Sequence, residues 1–242
     1  MVRPQHRPGL ERQRNGERPA WRWSDSFTTY DSYGKPSQVN DRGDTSTAAD
    51  NTCVSTTYAR NTTAWLIDYP SVQERRTGDN CSTGTLIGKT VTLYDGGTDP
   101  ATNSPSDGNV TETRNHAAAA TASTTKATYD DYGRPLTSTD PLNKTTTTSY
   151  TPAVGWPATE VKVTNPRGHI TKTVSSYLVG LPTRVTDANN YSYEIDYDDL
   201  GRTTALWGPG EPRAGGTATA TVAYDIPSGG WMAQPSGRSR PP

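Results

Sequence analysis

From residue 127 onward the chain breaks into short segments of alternating character, separated by Asp, Asn, Pro and Gly. Glu160-Val161-Lys162-Val163-Thr164 and Tyr191-Ser192-Tyr193-Glu194-Ile195-Asp196-Tyr197 alternate apolar with polar. That is the period of a strand with one buried and one wet face. Segments of strand length cover 134–139, 144–150, 158–164, 169–177, 181–186, 191–197 and 202–207. At roughly 3.3 Å per residue they predict a strip about 20–23 Å wide.

The punctuation between them carries its own chemistry. In a four-residue turn, Asp at the first position bonds N–H groups ahead of it, and Gly at the fourth accepts a left-handed conformation. Asp31 to Gly34, Asp130 to Gly133 and Asp198 to Gly201 fit that template. Asp140 to Asn143, Asn165 to Gly168 and Asp187 to Asn190 are variants, in which Asn replaces Asp or Gly. A type I turn followed by a left-handed residue is a common hairpin connection. The pattern therefore predicts an all-β fold, a continuous antiparallel ribbon of hairpins.

The turns belong to an internal repeat. Tyr30-Asp31-Ser32-Tyr33-Gly34-Lys35-Pro36, Tyr129-Asp130-Asp131-Tyr132-Gly133-Arg134-Pro135 and Tyr197-Asp198-Asp199-Leu200-Gly201-Arg202 align, with partial copies at Tyr94-Asp95-Gly96-Gly97 and Tyr224-Asp225. This unit, followed by a second Asp-x-x-Gly/Asn turn, resembles the YD repeat of the Rhs family. The resemblance is firm over 127–207, good over 28–40 and looser between. It implies a fragment of the repeat region, part of a larger spiral β-shell that often encloses a C-terminal toxin. The family's shell-closing motif and its aspartate autoprocessing site have no counterpart; Asp140-Pro141-Leu142-Asn143 resembles the latter only superficially.

Composition sharpens this picture. Leu, Ile, Val and Phe total 29 of 242 residues, a level low enough to suggest disorder were the net charge high. That charge is −1, so the expectation is a β structure with a thin core, its apolar surface supplied largely by 13 Tyr and 6 Trp. Near-neutral charge gives no reason to expect nucleic acid, and no apolar run is long enough for a membrane span. The sequence divides into a basic Arg/Pro arm (1–23) expected to be disordered, a first repeat (24–49) and an irregular β region (50–116). A connector (117–126), the main repeats (127–228) and a disordered Gly/Pro tail (229–242) follow. No signal-peptide apolar segment is visible in the arm.

Candidate chemistry is sparse. Cys53 and Cys81 are the only cysteines. In an exported protein they would form a disulfide, and otherwise they are two partly buried thiols. His6, His116 and His169 lack metal-ligand spacing. Gly84-Thr85-Leu86-Ile87-Gly88-Lys89-Thr90 has three residues between its glycines where a phosphate loop needs four, and strand-like residues follow it. Arg42-Gly43-Asp44 and the sequons at Asn61, Asn109, Asn143 and Asn190 are expected by chance. No catalytic, cofactor-binding or metal-binding residue is expected, so the chain is not read as an enzyme. Two functions remain: a secreted or cell-surface shell segment, whose partners are neighbouring YD repeats and an encapsulated toxin domain, or a carbohydrate-binding, adhesive module.

Overall fold

The structure, a computed structural model, describes residues 3–9, 22–118, 120–211, 213–225 and 234–239. All of its regular elements are strands. Contacts divide the chain into two units, Met1–Gly133 with Thr139–Asn143, and Arg134–Ser138 with Lys144–Pro242.

The first unit holds β1 (Arg3–Gly9), β2 (Arg22–Tyr30), β3 (Pro36–Asp44), β4 (Thr52–Asn61), β5 (Leu66–Thr77), β6 (Leu86–Tyr94), β7 (Val110–Ala117) and β8 (Ser123–Tyr129). Each pairs antiparallel with the next. Its core gathers Cys53, Ala59, Cys81, Val91, Leu93 and Tyr94. These come mostly from β4 and β6, which flank the twelve-residue β5.

The second unit runs through β9 (Pro135–Thr139), β10 (Thr145–Thr151), β11 (Glu160–Thr164), β12 (Ile170–Ser175), β13 (Pro182–Thr186), β14 (Ser192–Tyr197), β15 (Thr203–Trp207), β16 (Ala220–Asp225) and β17 (Gln234–Ser239). Here too each strand pairs with its successor. Every strand predicted between 134 and 207 is present with bounds within two residues of the expectation. Only Arg134 and Trp207 are buried in this unit among the described residues.

The ends and the middle differ from the sequence reading. Arg3–Gly9 of the basic arm pairs with β2, setting Pro4 against Phe27, and Gln234–Ser239 of the tail pairs with β16. An end strand presents a row of open N–H and C=O groups, which recruits extended chain whatever its side chains. Proline is tolerated on such an edge. Residues 1–2, 10–21, 226–233 and 240–242 lie outside the described residues. The stretch 50–116 is not irregular: it forms β4 to β7, and it includes the two longest strands, β4 and β5. Half of the expected connector is strand, since β8 starts at Ser123.

Candidate functional site

The recurring local structure is the Tyr-Asp turn, and its bonds explain each residue of the repeat. The main-chain N–H of Gly34, Gly133, Asn143, Gly168, Asn190 and Gly201 donates to the carbonyl three residues back, at 2.9–3.1 Å. The side-chain oxygen of the first residue accepts a second bond from the N–H two residues on. This holds for Asp31, Asp130, Asp140, Asn165, Asp187 and Asp198. In the turns at Asp31, Asn165, Asp187 and Asp198 that oxygen also accepts the N–H of the fifth residue, Lys35, His169, Tyr191 or Arg202. The fourth residue is left-handed, with φ of +72° at Gly133, +75° at Gly201 and +58° at Asn143, which Gly and Asn adopt readily.

A tyrosine ties one strand to another, and at Tyr94, Tyr129 and Tyr197 it is the one before the aspartate. The hydroxyls of Tyr58, Tyr94, Tyr129, Tyr150 and Tyr197 donate to the carbonyls of Pro36, Pro70, Val110, Pro135 and Pro182, at 2.7–3.0 Å. In each case the acceptor lies on the preceding strand, and in four it is that strand's first residue. The arginine that ends the motif stacks on aromatics. Arg134 lies 4.4 Å from the Tyr150 ring and 5.5 Å from the Trp156 ring, and Arg202 lies 4.4 Å from the Tyr224 ring, within cation–π range. Arg60 lies over Tyr33 and Tyr58 and pairs with Asp31. Arg134 is 3% exposed. Its guanidinium donates to the carbonyls of Ala153 at 2.6 Å and Gly155 at 3.1 Å.

One copy of the turn is enlarged. After Tyr94, residues 96–109 replace the usual tip, yet Asp95 keeps its capping role. One carboxylate oxygen accepts the N–H groups of Ser106, Asp107 and Gly108, and the other accepts that of Asn109, at 2.8–3.0 Å. Burial raises its pKa, but the bonds from Gly108, Asp107, Ser106 and Asn109 outweigh burial and hold the carboxyl below its usual range. Asn103 closes the loop by bonding both the N–H and the C=O of Tyr94. Asp31 follows the same logic, with burial outweighed by bonds from Lys35, Tyr33 and Arg60. Asp198 is lowered chiefly by the N–H of Arg202.

A cleft of about 620 Å³ lies beside this loop, lined by Asp95, Ser106, Asp107, Asn109, Thr111, Tyr129, Asp130, Asp131, Tyr132 and Gly133. Three of its four carboxylates are engaged locally. Asp95 and Asp130 cap main-chain groups, and Asp107 accepts the Ser106 hydroxyl. Among the described residues no cluster of His, Cys, Asp or Glu could hold a metal ion. His116 and His169 sit apart, next to Ala120 and Asn165 respectively. Cys53 and Cys81 are joined in a disulfide with their Cα atoms 5.1 Å apart, which fastens the turn between β5 and β6 to the start of β4. Gly84 in that turn is irreplaceable for space: a Cβ there would fall 1.8 Å from the Thr77 carbonyl oxygen. The phosphate-loop-like stretch from Gly84 to Thr90 is this turn and the first half of β6.

The tyrosine–carbonyl bond is the element that sequence reasoning missed. Its signal was the proline directly after Lys35, Arg134 and Leu181, which marks the strand start whose carbonyl the tyrosine seeks.

No family model and no curated protein matches the chain. Solved structures do. The crystal structure of TcdB2-TccC3-Cdc42 superposes with a TM-score of 0.56 and 12% identity, covering 97% of this chain and 16% of that one. The crystal structure of TcdB2-TccC3 gives a TM-score of 0.48 and 14% identity, covering 90% of this chain and 12% of that one. The present chain thus spans about a sixth of the length of the first of these, and the fold it shares with that stretch is an all-β ribbon of antiparallel hairpins.

Proposed function

We propose that this chain is a non-enzymatic length of wall in a secreted or cell-surface YD-repeat shell. Its lateral partners are neighbouring repeats of a longer chain, and its cargo is a toxin domain. The observation that carries the reading is the tyrosine–carbonyl bond joined to the aspartate turn. The copies at Tyr94, Tyr129 and Tyr197 fasten to the strand before and, through the turn, start the strand after, which is what an extendable wall requires. The carboxylates of the repeat are spent on main-chain N–H groups, a structural use of acid side chains. The Cys53–Cys81 disulfide suits an oxidising, extracellular setting.

The test is made on the polypeptide encoded by the whole gene. Electron microscopy of that product should show a hollow particle, and limited proteolysis should leave a protected C-terminal segment. A product with no enclosed volume and a freely cleaved C-terminus would rule out the shell. Binding of the same product to a glycan array, abolished by truncating exposed tyrosines, would favour the adhesive module instead.

A further inference from the structure

Tyr30-Asp31 is the copy of the repeat whose tyrosine is unspent. Tyr94, Tyr129 and Tyr197, each followed by aspartate, donate their hydroxyls to carbonyls of the strand before. Tyr224 gives its ring to Arg202 instead. Tyr30 closes β2 just as Tyr129 closes β8 and Tyr197 closes β14. It is 38% exposed, and among the described residues its hydroxyl has no acceptor and its ring no stacked cation.

The strand beside it is poorly made for the place. Within β1, Pro4 and Pro8 have no N–H to give to a ladder. The registers of the other pairs fix where the missing carbonyl belongs. Glu112 faces Lys126 and Arg184 faces Glu194, so the acceptors Val110 and Pro182 fall opposite Thr128 and Asp196, the residues before each tyrosine. On β2 that place is opposite Thr29, one step past the Arg3–Thr28 pair at the head of β1.

We propose that the edge of β2 covered by β1 is a docking site for an incoming strand, and that β1 holds the place until that strand displaces it. The inference rests on the wall reading and names the form of its lateral partner: an extended segment that opens with proline. Proline supplies the carbonyl in four of the five tyrosine bonds, as Pro36, Pro70, Pro135 and Pro182. Three of these open their strands. A proline there leaves no N–H unpaired at the head of the strand, while its carbonyl stays available to the hydroxyl. A strand edge binds such a segment through main-chain bonds. Displacing β1 exchanges one ladder for another, so the tyrosine bond decides between the two occupants.

The probe is a fluorescein-labelled peptide copying residues 35–44, which carries Pro36 at the head of a strand. Its anisotropy is followed with the purified full chain and with a variant lacking residues 1–9, circular dichroism serving as the check on folding. The full chain should bind the peptide, and the shortened chain should bind it more tightly. Tyr30→Phe in the full chain should weaken binding about fivefold, whereas Tyr193→Phe, which removes an exposed hydroxyl from β14, should not change it. Without peptide, Tyr30→Phe should leave the melting midpoint where it is. Failure of the full chain to bind, equal binding by Tyr30→Phe, or a lowered midpoint for the peptide-free variant overturns the proposal. The wall itself is decided by microscopy of the whole-gene product, so a peptide that does not bind removes this inference alone.

Discussion

The two units build the same ribbon by different means. In the first, strands run seven to twelve residues and bury Leu93, Val91, Ala59 and Tyr94 beside a disulfide. In the second, strands run five to seven residues, and the two side chains buried among the described residues are an indole and a guanidinium. The first unit is stabilised in the ordinary way, by apolar area removed from water. The second leans on its turns, on hydroxyl-to-carbonyl bonds between strands and on arginine stacked over rings. A short polar strand can therefore be held at its ends when its middle offers little to bury.

Removing the disulfide should separate the units most clearly. Closing a loop of 28 residues contributes about 3.5 kcal/mol by restricting the unfolded chain. Calorimetry of Cys53→Ser with Cys81→Ser should show the transition of the first unit lowered and that of the second unmoved. A uniform shift would mean that the two melt as one body.

Asp95→Ala should come next, at about 3 kcal/mol, because it strands four main-chain N–H groups that a charged acceptor now satisfies. The pH dependence has a definite sign. The folded pKa of Asp95 lies below the unfolded value, so its contribution is fully present above the unfolded value, about 3.9. It is lost as pH falls through the folded pKa. Acid titration of wild type and Asp95→Ala by fluorescence should therefore converge at low pH; parallel curves would show that the carboxylate is not the source.

Gly201→Val should cost the second unit about 2 kcal/mol. A β-branched residue resists φ of +75°, and its Cβ would approach Leu181 Cδ1 to 3.1 Å. Asn190→Gly, at φ +67°, should change stability by no more than a few tenths of a kcal/mol. Urea melts of the pair decide whether the left-handed position matters as argued. The smallest effect, about 1 kcal/mol, is expected for Tyr197→Phe, which deletes only the hydroxyl bonded to Pro182.

Legibility followed the same divide. The second unit was readable because Asp130, Asp140, Asn165, Asp187 and Asp198 mark its turns by local chemistry, and local chemistry shows in sequence. The region 50–116 was not, since its reversals rest on distant partners. Asn51 bonds Asp79 across 28 residues, and the Asn61 side chain bonds the Pro105 carbonyl across 44. Trp65 takes a left-handed φ of +59° that nothing in its own sequence requests. The tyrosine–carbonyl bonds stayed hidden because any residue offers a carbonyl. Pairing of Arg3–Gly9 was hidden too, because the end strand supplies the template and the recruited segment supplies only backbone.

The capping bonds that the turns share reach main-chain groups, so they ask nothing of the second and third side chains. Ser32-Tyr33, Asp131-Tyr132, Pro141-Leu142 and Asp199-Leu200 occupy those places with no common chemistry, and after Asp95 they give way to an entire loop. A fold specified this sparingly leaves most of its letters unassigned, and mutation can rewrite them at little cost. That is how 97% of this chain can follow the course of another while sharing 12% of its residues.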